Sequence, residues 1–117
     1  MDVEWLRHHC LSFPGASEHV QWGEHLVFKV AGKIFAVLAL EPGGQFLMFK
    51  STPEEAADLV ERPGVIPAPY LARAHWVALE TEDALSPAEI RRLVSRSYEL
   101  VVEKLPKAKR PRTRGKA

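Results

Sequence analysis

The chain is poor in cysteine, in long apolar segments and in net charge. Cys10 is the single cysteine of the 117 residues, so no internal disulfide forms, and this favours a reducing cytoplasm. No apolar run approaches the roughly 18 residues of a membrane-spanning helix, and the acidic first residues differ from a secretory signal. We therefore expect a cytoplasmic protein with no membrane partner.

Sequence signatures of enzymes and metal sites are also missing. The chain contains no G-x-S-x-G motif, no P-loop and no dinucleotide-binding fingerprint. Its five histidines have neither the spacing of a two-histidine helical site nor that of a Cys/His zinc cluster. Cys10 falls on the inward stripe of the first predicted helix, which favours a structural thiol over a nucleophile. We expect no catalytic residue, no metal and no cofactor.

The formal net charge is only +1, but it is distributed unevenly. Residues 106–117 contain six basic residues and no acid, so this segment carries +6 and the preceding residues carry −5. We predict a single domain over 1–105 and a basic, disordered tail over 106–117. Such tails often bind nucleic acid, although a solubilising terminus without a specific partner explains the composition equally well.

Hydrophobic periodicity and turn residues predict an α+β fold. The order of elements is α-β-β-β-α-β-α, with an antiparallel β-sheet and helices packed on one face. Thr52 and Ser86 are each followed by proline and, three residues on, by glutamate, which is a strong helix start. A polar loop is expected up to Trp22-Gly23. The predicted helices begin at Val3, at Pro53 and at Pro87, the last ending near 104, and the predicted strands cover 25–30, 33–40, 45–50 and 75–81.

The last predicted helix carries both signs of charge. Glu89 and Arg92 are three residues apart, as are Arg96 and Glu99, and Glu103 precedes Lys107 by four. These spacings favour ion pairs on a solvent-exposed face. The arginines of this helix are therefore expected to be occupied rather than available for nucleic acid.

Cations and aromatic residues alternate near the ends of the predicted strands. Lys29 and Lys33 flank a tight turn, and Lys50 ends the third predicted strand. Side chains of these types stack on bases and pair with phosphates. The same residues would also serve to cover the open face of the sheet. The others in this group are Trp22, Tyr70, Arg73, His75 and Trp76.

Several short motifs occur in a specific order and spacing between about residues 20 and 107. They include Trp22-Gly23, residues 28–36, residues 64–70 and residues 75–77. Together they resemble the MmcQ/YjbR family. The resemblance implies a frataxin-like two-layer α+β sandwich. It also implies a DNA-binding protein with a double-wing arrangement of β-hairpins, a label that rests largely on fold analogy. Members of the family are small bacterial proteins to which no enzymatic reaction is generally attributed. The remaining motifs are Phe49-Lys50, Pro53-Glu54, residues 97–101 and residues 104–107.

Two functions compete at this point. The first is a non-enzymatic DNA-binding protein that contacts mainly the phosphate backbone with low sequence specificity. The second is a small-molecule binding module for a planar ligand, with an aromatic pocket formed by Trp22, Tyr70, His75 and Trp76. We expect a monomer, although an open sheet edge would permit a homodimer. The expected DNA contacts are Lys29, Lys33, Lys50, Arg73, Lys107, Lys109, Arg110, Arg112 and Arg114.

Overall fold

The computed structural model describes residues 3–21, 25–40, 46–68 and 74–111. They form one six-stranded sheet, in which every pair of neighbouring strands is antiparallel, together with three α-helices. The α+β class is confirmed. No helix in these ranges is long and apolar enough to cross a membrane. The elements are α1 (Val3–Leu11), β1 (Ala16–Gln21), β2 (His25–Val30), β3 (Lys33–Ala39), β4 (Leu47–Lys50), α2 (Pro53–Leu59), β5 (Val65–Pro67), β6 (Trp76–Leu79), α3 (Pro87–Glu103) and a 3-10 turn (Lys107–Lys109).

The predicted order of elements lacks two strands. In the sheet order β1-β2-β3-β4-β6-β5, the two missing strands are the two edges. The predicted loop before Trp22 is wrong over Ala16–Gln21, which pairs with β2 as strand β1. An edge strand pairs on one side only and tolerates polar side chains, so its sequence lacks the apolar alternation of a half-buried strand. Strand β5 has only three residues, and Pro67 within it is compatible with an edge position alone.

The predicted helix starts of α2 and α3 are confirmed. Thr52 Oγ1 accepts a hydrogen bond from the Glu55 N–H at 3.2 Å. Ser86 and Glu89 form a reciprocal capping box, with a proline following each N-cap residue. These contacts satisfy backbone donors that a helix start leaves without an intrahelical acceptor.

All three helices pack on the same face of the sheet, as predicted. The larger apolar cluster joins helical side chains to Phe28, Phe35 and Phe49, which are fully buried. The predicted inward stripe of α3 is buried throughout. A smaller cluster on the opposite face contains no helical residue among those described. The stripe consists of Ile90, Leu93, Val94, Ser97 and Val101, and the buried members of the smaller cluster are Val27, Val37, Ala68, Trp76 and Ala78.

Candidate functional site: a lysine-lined cleft

Three lysines and a tryptophan line a cleft of about 340 Å³ at one end of the sheet. Lys33, Lys50 and Trp76 are predicted site residues that the fold brings together, and Lys104 joins them from the end of α3. Among the residues that the structure describes, no acid lines this cleft. We call it the lysine cleft, and its lining residues are Lys33, Ile34, Lys50, Trp76, Val101, Lys104 and Leu105.

The turn between β2 and β3 places Lys33 at the cleft. Ala31 and Gly32 both have positive φ, at 51° and 80°, as a type I′ hairpin turn requires. Lys29 lies on the same hairpin, paired with Ile34 across the two strands. Lys29 does not line the cleft, so the two predicted DNA contacts of this hairpin have different surroundings.

A bulge in β3 and a buried serine fix the position of Lys50. Phe28 pairs with Ala36 whereas Lys29 pairs with Ile34, so Phe35 is an extra residue in β3. Ser97 Oγ donates to the Phe35 carbonyl at 2.7 Å and accepts from the Lys50 N–H at 2.9 Å. The hydroxyl from α3 thus joins β3 to β4 at the point where their regular pairing stops.

The charge of Lys50 is disfavoured by its surroundings. Burial lowers the pKa of its ammonium group, and the positive charge of Lys104 lowers it further. Lys50 pairs with Trp76 across β4 and β6. Trp76 is 7% exposed and belongs to the smaller apolar cluster, so its main contribution is to the wall of the cleft. A bound anion would relieve the repulsion between the two lysines.

His75, the neighbour of Trp76, has a backbone role. Its φ of 66° is unusual for a residue with a side chain. The Ser51 N–H donates to its carbonyl at 3.0 Å, which continues the contact between β4 and the start of β6. The His75 side chain is exposed and does not line the cleft.

Part of the predicted basic tail is structured beside the cleft. Lys107 and Lys109 lie in an exposed 3-10 turn. Arg110 donates through Nε to the Leu105 carbonyl at 3.0 Å and through Nη2 to the Glu103 carbonyl at 2.8 Å. Arg110 thereby caps the end of α3, whereas the sequence predicts only a phosphate contact for this residue. Residues 106–111 are thus structured, in contrast to the predicted disorder.

Five of the predicted site residues lie outside the described residues. They include both loop aromatics of the predicted planar-ligand pocket. The planar-ligand pocket therefore stays a prediction. Of its two described members, Trp76 lines the lysine cleft and His75 does not. The five residues are Trp22, Tyr70, Arg73, Arg112 and Arg114.

Lys104 is the site residue that the sequence analysis missed. Its signal was a cation at the end of a predicted helix with no acid three or four residues before it. Its proximity to Lys33 and Lys50 depends on how α3 crosses the sheet, which residue spacing does not reveal.

Comparison with known proteins assigns the chain to a family. The family model YjbR matches residues 11–100. The chain belongs to the YjbR family. This confirms the resemblance identified from its motifs.

Relatives and solved structures extend this family match over most of the chain. The Escherichia coli K12 protein named uncharacterized protein YjbR is 30% identical over 113 residues, which cover 94% of this chain and 95% of the relative. Uncharacterized protein YbdF of E. coli O157:H7 is 32% identical over 91 residues, covering 75% and 73%. The crystal structure of the DUF419 protein DR2400 from Deinococcus radiodurans has a TM-score of 0.83 at 28% identity, covering 92% and 84%. A Pseudomonas syringae protein shares the fold, with a TM-score of 0.72 at 21% identity, covering 86% and 98%.

Arginines and lysines of this YjbR-family protein differ in their partners. Arg7, Arg62, Arg92 and Arg96 each contact at least one carboxylate. In the part of the chain that the structure describes, no carboxylate lies within ion-pair distance of any lysine. The lysines concerned are Lys29, Lys33, Lys50, Lys104, Lys107 and Lys109.

The three predicted ion pairs of α3 have different outcomes. Arg96 contacts Glu99 at 3.7 Å, as predicted, and also Glu103 at 3.9 Å. The other two predicted pairings, Glu89 with Arg92 and Glu103 with Lys107, are wrong. Glu89 binds Arg62 instead of Arg92, and Arg92 contacts Glu55 of α2 at 3.7 Å. Contacts with a neighbouring element displaced those within the helix.

A second, larger cavity of about 540 Å³ lies between α1 and α3. Several of its polar groups contact one another. The Arg91 guanidinium lies 5.1 Å from the ring centroid of Trp5, and His9 Nε2 donates to the Arg91 carbonyl at 3.2 Å. Burial lowers the pKa of His9 and so disfavours a positive charge on its imidazole. This cavity therefore offers less free charge than the lysine cleft.

Cys10 lies on the buried face of α1. Its side chain is fully buried, and burial raises the pKa of its thiol to about 12. A thiol with this pKa remains protonated at neutral pH, as the predicted structural role requires. Among the described residues, no three metal-ligating side chains of His, Cys, Asp or Glu form a cluster.

Proposed function

We propose that this protein binds DNA without catalysing a reaction, mainly through the phosphate backbone and with low sequence specificity. One observation carries the proposal: three ammonium groups line one cleft, and no acid is among the described residues that line it. Lysine ammonium groups are point charges that suit phosphate oxygens. Their separation from carboxylates leaves their potential available to a polyanion.

The surroundings of the cleft extend this cationic surface. Lys29 and Lys33 lie on the β2–β3 hairpin, one of the hairpins that a double-wing protein would present to DNA. Lys107 and Lys109 follow the end of α3, where Lys104 lines the cleft. The six basic tail residues add long-range attraction. We place this activity in the cytoplasm, in keeping with the single cysteine.

Low specificity follows from the surroundings of α3. Base readout usually needs side chains that are free to enter a groove. Arg92 and Arg96 are paired with carboxylates, and the inner stripe of α3 is buried against the sheet. The lysine cleft supplies charge without an evident pattern of donors and acceptors for base edges.

The test is a salt titration of duplex DNA binding by fluorescence anisotropy. We expect binding at about 50 mM salt, with log K falling by about 0.9 per neutralised phosphate for each unit of log salt. A chain ending at Pro111 keeps the Arg110 cap of α3 and should bind with a smaller slope. Loss of all binding on this truncation would remove the proposed role of the cleft. Absence of binding by the full chain would reject the function itself.

A small anionic ligand is the second candidate. The cleft volume of about 340 Å³ favours it, since it lies within the roughly 300–1,000 Å³ of known ligand sites. Thermal melting with planar aromatic phosphates tests this candidate. An increase in melting temperature that is lost in the Lys33→Gln/Lys104→Gln variant would support a small anionic ligand. The same increase in this variant would contradict it.

A further inference from the structure

The lysine cleft contains an apolar floor that phosphate contacts alone do not use. Trp76, Val101 and Leu105 line it and are 7%, 8% and 5% exposed, so they form a well-packed surface. Ile34, near the start of β3, is half-buried and also lines the cleft. Apolar surface facing a phosphate gains nothing from the contact, whereas apolar surface facing a base does.

The cations of the cleft differ in depth. Lys33 and Lys104 are exposed, while Lys50 is half-buried. A ligand that fills the cleft therefore meets exposed charge and apolar side chains at once. An unpaired nucleotide has this composition, since it joins a planar base to a phosphate.

From this combination we propose that the lysine cleft binds an unpaired nucleotide of single-stranded DNA. Its base would lie against the apolar floor and its phosphate beside Lys33 and Lys104. A duplex keeps its bases stacked and paired, and extruding one costs free energy. The cleft volume of about 340 Å³ suits a single nucleotide rather than a length of duplex. The inference rests on the proposed function and narrows its substrate to the single strand.

The direct test compares three probes on the full chain at one salt concentration. They are a single strand of about 10 nucleotides, within the usual site size, the duplex of the same sequence, and a mononucleotide. A site that used charge alone would favour the duplex, because the duplex has the higher charge density. We expect the single strand to bind roughly fivefold tighter than the duplex or more, as base contacts predict.

A variant that fills the cleft locates this preference. Ile34→Phe adds bulk at the apolar floor and keeps all three lysines, so the ratio of single-strand to duplex affinity should fall towards one. Val20→Phe is the matched control, because Val20 is 65% exposed on β1 and does not line the cleft. Thermal melting establishes that both variants fold. The comparison of the three probes on the unsubstituted chain tests the single-strand preference even if neither variant folds.

Each outcome separates the inference from the proposed function. Equal or tighter binding of the duplex overturns the single-strand inference and leaves DNA binding intact. Binding of no probe overturns both. If a mononucleotide binds as tightly as the single strand, the cleft binds free nucleotides, and the proposal that its ligand is single-stranded DNA is wrong. If the folded Ile34→Phe variant keeps the preference for the single strand over the duplex, the lysine cleft is not the place where the base binds.

Discussion

Arginines and lysines serve different purposes in this protein. Arg7, Arg62, Arg92 and Arg96 contact carboxylates on or between secondary-structure elements, and we call these contacts the arginine pairs. Lys33, Lys50 and Lys104 converge on one cleft, which no acidic residue lines in the described part of the chain. The planar guanidinium suits paired contacts with carboxylates, whereas the ammonium group is a compact charge. The arginine pairs therefore connect parts of the fold, while the cleft lysines supply the charge on which the proposed DNA binding depends.

This difference explains how an acidic body can present a cationic site. Residues before the tail carry a net −5, which alone would repel DNA. A charge paired with its opposite has little field at a distance, and unpaired charges act over about 10 Å at 0.1 M salt. Concentrating unpaired lysines at one end lets the nearby charges dominate the local potential, although the total charge of these residues is negative. The net charge of +1 therefore says little about where the proposed DNA binding would occur.

The largest effect on stability is expected where the lysine cleft is anchored to the core. Ser97→Ala leaves the Phe35 carbonyl and the Lys50 N–H without the hydroxyl that joins them, which should cost about 1–3 kcal/mol. Urea unfolding measures this difference. Ser95→Ala is the control, since its hydroxyl donates to the Arg91 carbonyl on the exposed side of α3, and it should change the free energy of unfolding by less than about 0.5 kcal/mol. Equal effects would contradict the anchoring role.

A smaller effect of opposite sign is expected at the turn that carries Lys33. Ala31 has a φ of 51°, which asparagine adopts at lower cost, and Asn-Gly is preferred in type I′ turns. Ala31→Asn should raise the free energy of unfolding by about 0.5–1 kcal/mol. Ala31→Val keeps an apolar residue but is β-branched, and should lower it. Destabilisation by asparagine in urea unfolding would show that the turn geometry differs from type I′.

The smallest effect concerns an arginine pair and depends on pH. The Arg62 hydrogen bonds hold the pKa of Glu89 at about 2, below the roughly 4.3 of an unfolded chain. This contribution is therefore present above pH of about 4.3 and is lost as the pH falls toward 2. Glu89→Gln should be slightly less stable than the original chain at pH 7, because the pair is partly exposed.

Thermal melting across this pH range is the measurement for Glu89→Gln. The difference in melting temperature between the two chains should shrink as the pH decreases. Arg92→Gln serves as the control, since Arg92 does not contact Glu89 in the structure. A difference that stays constant down to pH of about 2 would show that the charge of Glu89 contributes nothing to stability.

Local signals were sufficient to predict most helices and central strands. The caps at Thr52 and Ser86 depend on residues within one turn, and the inward stripe of α3 repeats at helical spacing. The polar edge strand β1 lacks such a signal because its stability comes from pairing with β2. The extra residue Phe35 is likewise invisible, since a bulge is defined by the partner strand.

The candidate site was predictable only in part, for a related reason. Lys33 and Lys50 stand out in the sequence because they border strands, and Trp76 because it begins one. Lys104 depends on how the end of α3 meets the sheet. Arg110 has a contact that its charge alone does not predict, because its guanidinium caps α3. Residue type predicts chemistry, and only packing determines which partners it meets.

One measurement tests the central claim most directly, namely that lysine placement and not net charge determines DNA binding. It compares Lys33→Gln/Lys50→Gln/Lys104→Gln with Arg62→Gln/Arg92→Gln/Arg96→Gln in the same salt titration of the full chain. Both variants remove three positive charges, so their net charge is identical. The lysine variant should bind DNA more weakly, and its salt slope should fall by about 0.9 for each phosphate that it no longer neutralises, whereas the arginine variant should keep the original slope. Equal reductions in affinity and slope in the two variants would contradict the account.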